Sequence, residues 1–177
     1  MKNISWVFVY NFSLGNKLVS IILTENWLYY LALHIRFASS SRFLQLVEIF
    51  AYETSVTSSL VSFINSQDTA SFVVVYHFNN VFTQERIFLY VCESSAPNSL
   101  KLKTLGDVFT TSQWLERELT EMYGLCFYGK KDLRNLMLQY GDSSTPFRKI
   151  YPSIGLTELT YDTVTDTLVH LPISSQI

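Results

Sequence analysis

The chain has 177 residues, of which 48% are hydrophobic, 15% aromatic and 16% charged, with a formal net charge of −2. That length and apolar content suffice for one domain with its own core, and abundant aromatics with little net charge exclude intrinsic disorder. A charge of −2 gives no overall attraction to nucleic acid or an anionic membrane, and a charged fraction below the roughly 25% of typical soluble domains leaves apolar surface for a partner.

Taken in order, Ile4, Trp6 and Phe8 alternate with Ser5, Val7 and Val9 and predict a short strand. Lys2 before this apolar stretch is a weak mimic of a signal peptide, but no small-residue cleavage site or Arg-rich presequence follows, so the start is read as mature chain. Residues 18–24 and 27–37 are apolar and rich in β-branched or aromatic side chains, which leaves helix and strand both open. No run of about 18 apolar residues is free of charge; Glu25 interrupts the best candidate. Ser39, Ser40 and Ser41 punctuate the chain. Phe43, Leu46, Val47 and Phe50 then stand at the i, i+3, i+4, i+7 spacing of one helical face, although a strand from about Val47 fits almost as well.

Residues 54–69 are polar and serine-rich and are expected to form a loop or insertion. The β-rich runs 72–78 and 86–92 flank a turn beginning at Asn79 and Asn80, which predicts an antiparallel hairpin. A helix is predicted over Ser112–Tyr123, with Thr111 or Ser112 as N-cap, Gly124 as its stop, and Leu115, Leu119 and Met122 on its apolar face. Residues 132–138 could form a second short helix. In residues 155–177, Glu158, Asp162 and Asp166 stand without any Lys or Arg. Runs at 159–161 and 167–169 predict a hairpin there, barely stable unless it lies against a surface. These elements together make an α+β fold: a small, mostly antiparallel sheet, two or three helices on one face, and an extended C-terminal tail.

Cys92 and Cys126 fit no zinc spacing and are too few for an iron–sulfur cluster; both are read as buried free thiols. His34, His77 and His170 have no ligand spacing, and Trp6, Trp27 and Trp114 are read as core or interface anchors. No serine or cysteine carries a recognisable hydrolase motif. Eight of the 13 Lys and Arg residues fall between 101 and 149, interleaved with acids, a pattern that favours ion pairs fixing loops or docking another protein. Within the helix, Arg117 and Glu121 are i,i+4 neighbours. Glu116 and Glu118 project about 200° apart, so they form no compact two-carboxylate site; these charges are read as a solvated or partner-facing surface.

The run Trp114-Leu115-Glu116-Arg117-Glu118-Leu119-Thr120-Glu121-Met122-Tyr123-Gly124-Leu125 resembles the signature of the NuoC-type core subunit of respiratory complex I. The resemblance continues without gaps through Phe127, Gly129, Asp132-Leu133-Arg134, Leu136 and Tyr140-Gly141. It then runs through Pro146-Phe147-Arg148-Lys149-Ile150-Tyr151-Pro152 to Gly155. Departures are Lys130-Lys131 in place of the family's His-Pro, Ile150 in place of an acid, and Ser144-Thr145 in place of Gly-His. Fainter similarity covers 43–53, 72–76 and 156–173.

The resemblance implies three parts: a divergent segment 1–26, an α+β NuoC-like domain 27–154, and an acidic extension 155–177 that wraps a partner. It implies a cofactor-free structural subunit of the peripheral arm, with no catalytic, cofactor-binding or metal-binding residues of its own. Its partners would be other complex I core subunits, chiefly the NuoD-type quinone-site subunit and neighbouring iron–sulfur subunits, in an assembly that couples NADH-to-quinone electron transfer to proton translocation. The implied location is the matrix side of the mitochondrial inner membrane, reached only through the complex. A composition rich in Phe, Tyr, Ile and Ser with only 6 Gly suits an AT-rich organellar genome.

The expected motif and interface residues are Trp114, Glu116, Arg117, Glu118, Glu121, Gly124, Asp132, Arg134, Tyr140, Gly141, Pro146, Arg148, Lys149 and Pro152. Glu116, Arg117 and Glu118 would orient the helix against the following loop. Asp132 and Arg134 would hold the second short helix. Arg148 and Lys149 would anchor the chain where it leaves for the tail, and Tyr140 is expected to pack in a turn. The rival reading is an RNA-binding module using Lys130, Lys131 and Arg134 with Tyr128 and Tyr140.

Overall fold

A computed structural model describes residues 7–9, 18–23, 25–38, 43–54, 71–92 and 101–173. The elements are β1 (Val7–Val9), β2 (Leu18–Leu23), α1 (Glu25–Phe37), β3 (Leu44–Thr54), β4 (Ser71–Asn80), β5 (Arg86–Cys92), β6 (Lys101–Lys103), α2 (Ser112–Tyr123), β7 (Cys126–Tyr128), β8 (Thr157–Asp162) and β9 (Thr167–Pro172). Five strands form a sheet in the order β1-β2-β5-β4-β3, in which only the β2/β5 pairing is parallel. β6 and β7 pair in parallel around the crossover helix α2, and β8 and β9 form a separate antiparallel hairpin.

Period-2 alternation on β4 turns Phe72, Val74, Tyr76 and Phe78 to one face of the sheet, where they pack with Leu28, Ala32 and Ile35 of α1 and with Leu119 of α2. Both helices therefore cover that face, and the α+β expectation holds. Residues 18–24, open between helix and strand, supply β2; residues 27–37 lie in α1, whose buried positions follow i, i+4, i+7. The hairpins at 71–92 and 157–172 match their predictions. β2 lies ahead of the boundary expected at 26/27 yet pairs with β5 in the main sheet. Ile4, Trp6 and most of the serine-rich stretch lie outside the described residues.

Two expectations about elements are corrected. Residues 44–54 are a strand, so the strand reading left open from about Val47 holds and the helical one does not. A register shift between Leu46 and Glu48 moves the buried positions from Leu44 and Leu46 to Ile49 and Ala51, and the helix-like spacing comes from the exposed apolar residues Phe43, Val47 and Phe50 combined with buried Leu46. Residues 132–138 form no helix but an irregular loop, because its backbone groups bond to the Arg117 and Glu121 side chains of α2. Among the described residues no helix is long and apolar enough to cross a membrane.

Candidate functional site: the motif helix and the loops it holds

The helix α2 begins as predicted at Ser112 and stops at Gly124, whose left-handed φ of 74° lets its N–H return to the Thr120 carbonyl at 3.0 Å. Thr111 makes no capping bond to the helix; its hydroxyl instead donates to the Leu46 carbonyl on β3. Ser112 is fully buried and its hydroxyl donates to the Phe109 carbonyl at 2.8 Å.

Glu116 overturns the expectation of a solvated or partner-facing charge, because it is 0% exposed. It lies three residues before Leu119 and four after Ser112, so it belongs to the buried stripe of the helix. Its Oε2 accepts from the Thr104 hydroxyl at 2.6 Å and its Oε1 from the Leu105 N–H at 2.8 Å. Lys130 Nζ stands 3.8 Å from Oε2. Burial raises the Glu116 pKa, and the bonds from Thr104 and Leu105 and the charge of Lys130 work against that rise. On β4 beneath the helix, burial and Glu116 together raise the pKa of fully buried Tyr76 well above the usual tyrosine value.

On the other flank, α2 organises the loop that follows β7. Arg117 donates from Nε to the Arg134 carbonyl at 2.8 Å and from Nη2 to the Asn135 carbonyl at 3.0 Å, while its guanidinium lies 5.2 Å from the Trp114 ring centroid. Glu121 accepts from the three consecutive N–H groups of Leu136, Met137 and Leu138. Burial pushes the Glu121 pKa up, but those three amides and the nearby Arg117 outweigh it and hold the carboxyl below its ordinary value. The helix thus takes two carbonyls and three amides of the loop, leaving that backbone no set of groups with which to wind a helix of its own. Asp132 pairs with Arg134 at 2.8 Å and with Arg117 at 3.6 Å. Arg134 holds the Asp132 carboxyl well below the usual carboxylate range. This pair closes the loop instead of holding a second helix.

The C-terminal end of α2 is satisfied from further along the chain. Phe147 N–H donates to the Met122 carbonyl at 3.1 Å and Arg148 Nε to the Tyr123 carbonyl at 3.0 Å, which answers the free carbonyls every helix end presents. The Arg148 guanidinium lies 5.3 Å from the Phe72 ring, and the Lys149 N–H donates to the Glu53 carboxylate at 2.9 Å. Gly124 sits inside this closure, where a Cβ would come within 3.2 Å of the Thr145 methyl.

Other expected residues stand apart. Glu118 is half-buried, with no hydrogen bond or ion pair among the described residues, and Gly141 occupies a turn with φ of 91°. Tyr140 is exposed instead of packed in a turn; Trp114 and Pro152 are exposed as well, and Pro146 is half-buried. Cys126 is exposed, not buried, because Phe127 takes the inward position of three-residue β7. Each cation of the RNA-binding reading has a carboxylate beside it: Lys130 stands 3.8 Å from Glu116 without a hydrogen bond, Lys131 lies 3.5 Å from Asp107, and Arg134 pairs with Asp132. Sequence reasoning missed Thr104, Leu105 and Glu53 as partners of the motif, since each is joined to it only by the fold.

The family model described as the respiratory-chain NADH dehydrogenase, 30 Kd subunit, matches residues 22–156. The chain belongs to that family. The C subunit of the NADH-quinone oxidoreductase of Ruegeria pomeroyi is 34% identical over 140 residues, covering 79% of this chain and 63% of that protein. Its counterpart in Cereibacter sphaeroides is 32% identical over 139 residues, covering 78% and 62%. This chain therefore spans a little over three-fifths of the length of these curated relatives. Among solved structures, the trypsin-resistant fragment (1-134) of Nqo5 superposes with a TM-score of 0.54 at 20% identity, covering 72% of this chain and 89% of that one; it shares the fold. Glu116, Arg117, Glu121 and Arg148 thus direct their polar atoms at groups of the same chain, and what this arrangement does chemically is hold α2 and its flanking segments together.

Proposed function

We propose that this chain is a cofactor-free structural subunit of the peripheral arm of NADH:ubiquinone oxidoreductase. It docks beside the NuoD-type quinone-site subunit and near iron–sulfur subunits, and it contributes no catalytic residue to NADH-to-quinone electron transfer or to the proton translocation coupled to it. The observation that carries the docking reading is the terminal hairpin. Its register places Leu159, Tyr161 and Leu168 on one face, and all three are more than half exposed. A two-stranded hairpin of that kind is marginal without a covering surface. The absence of Lys and Arg from residues 155–177 suits a basic partner surface.

The inward-turned motif charges support a structural role, and the carboxylates that stand beside Lys130, Lys131 and Arg134 favour this reading over RNA binding. We place the complex at the mitochondrial inner membrane, matrix side, on the AT-rich style of the composition; subcellular fractionation tests that part. The main test is native electrophoresis of solubilised membranes with an in-gel NADH dehydrogenase stain. The chain is expected in a very large NADH-oxidising band. Migration as a free small protein, with that band present and lacking it, would overturn the assignment.

A further inference from the structure

Lys130 is a buried cation short of acceptors. Its side chain is 5% exposed, yet its ammonium makes no hydrogen bond among the described residues. The Glu116 carboxylate nearest to it is 3.8 Å away, with both oxygens already bonded to Thr104 and Leu105. The other acids nearby are engaged as well: Asp107 with Lys131, Asp132 with Arg134 and Arg117, and Glu121 with three loop amides. Buried charged groups are normally paired and hydrogen-bonded, and here the described residues supply no acceptor.

Beside this lysine opens a cavity of about 160 Å³, whose wall includes Thr104, Asp107, Gln113, Lys130, Lys131 and Asp132, its two carboxylates being those already held by Lys131 and by Arg134 with Arg117. That space exceeds what one water needs and accommodates a side-chain head. Two large apolar residues follow wall residues directly in the chain: Trp114, 60% exposed, after Gln113, and Leu133, 73% exposed, after Asp132. Arg117 lies over the Trp114 ring and 3.6 Å from the wall residue Asp132.

We infer that this cavity is a socket for a carboxylate borne by a partner protein, which enters past Trp114 and Leu133 and completes the hydrogen bonding of Lys130. The inference rests on the reading of this chain as a docking subunit. An ionised acceptor makes the strongest match to an ammonium, and a protein that supplies it also covers the exposed Trp114 and Leu133, as solvent in the cavity does not. Docking is then linked to protonation. Burial lowers the Lys130 pKa to about 8, with Glu116, Asp132 and Glu121 opposing and Arg117 assisting that fall. A docked carboxylate favours the charged amine and raises its pKa above the undocked value. Docking is therefore full below pH about 8 and weakens as pH rises through it.

The test uses the assembled complex in solubilised membranes, resolved by native electrophoresis. Lys130→Met is expected to lower the assembled fraction of the chain about tenfold. The double variant Glu116→Gln with Lys130→Met is expected to stay equally low, because it removes the buried charge imbalance but does not restore the donor. Recovery of the double variant, or normal assembly of Lys130→Met, means that Lys130 serves Glu116 or solvent alone and overturns the socket. A second readout needs no lost interaction. The wild-type chain is released as pH rises from about 7 to about 9, whereas Lys130→Arg, whose guanidinium does not titrate there, is retained. Equal release of the two, or release of neither, also overturns the socket. Absence of the wild-type chain from every assembly is a failure of the docking reading itself; assembly indifferent to Lys130 is a failure of the socket alone.

Discussion

The hydroxyl of Thr104 donates a 2.6 Å hydrogen bond to the carboxylate of Glu116 wholly inside the protein. The bond ties the segment before α2 to the middle of that helix, so the family's motif helix is fixed from within before any partner arrives. Removing the acceptor leaves the Thr104 hydroxyl and the Leu105 amide unmatched and takes away the carboxylate that stands 3.8 Å from the Lys130 ammonium. Glu116→Ala is accordingly expected to lower unfolding free energy by about 3–5 kcal/mol, and Glu116→Gln by about 1–2 kcal/mol. Urea denaturation of the full chain reads both; equal costs for Ala and Gln would show that the acceptor is not what matters. Burial raises the Glu116 pKa, so the folded form binds this proton more tightly than the unfolded one. The corresponding stability is present below the ordinary value of 4.5 and is lost as pH climbs through the raised one. Glu116→Gln removes that slope.

Arg117 reaches two successive carbonyls with one planar fork. Lysine has a single point donor and cannot reproduce both bonds. Arg117→Lys is expected to cost about 1–3 kcal/mol and to speed amide hydrogen exchange across residues 132–140. Unchanged exchange in that loop would refute its dependence on the guanidinium.

Glu121 titrates with the opposite sign to Glu116. Its folded pKa is depressed, so its contribution is present above the unfolded value of 4.5 and is lost as pH falls through the folded one. The variant Glu121→Gln, able to offer one neutral oxygen to three amides, is expected to be about 1–3 kcal/mol less stable at neutral pH. The gap between variant and wild type should close on acidification. A gap that stays constant down to pH about 3 contradicts the linkage.

Gly124 combines a φ of +74° with a 3.2 Å approach to Thr145. Gly124→Ala therefore adds left-handed strain to a tight contact and is expected to cost about 1–2 kcal/mol. Gly141 has a φ of +91° but nothing within 4 Å of where a Cβ would stand, so it bears the strain alone; Gly141→Ala should cost less. Thermal melts of the two variants check the order.

The exposed hairpin face predicts a split between folding and assembly. Replacing Leu159 and Leu168 by Ser is expected to leave the stability of the main domain within about 0.5 kcal/mol while depleting the chain from the large NADH-oxidising band. A double variant that assembles normally means that this face meets no partner.

The helix at 112–123, its glycine stop, the hairpin at 71–92 and the terminal hairpin are all legible in the sequence, because each follows from local periodicity and turn chemistry within one short stretch. The strand at 44–54 is only half legible, since a bulge between Leu46 and Glu48 breaks the alternation and exposed apolar Phe43, Val47 and Phe50 combine with buried Leu46 into the spacing of a helical face. The loop at 132–138 resists reading for a different reason: its backbone bonds go to Arg117 and Glu121, some fifteen to eighteen positions earlier in the chain.

By itself the sequence determined which segments form regular structure where neighbouring residues decide, and it determined the family through a motif held in spacing. Only the tertiary structure decided which motif charges are internal. Glu116 and Glu118 carry the same formal charge two positions apart, yet one is fully buried against Thr104 and Lys130 and the other is not. The difference lies in which groups from distant segments arrive to replace water, and no local pattern encodes that arrival.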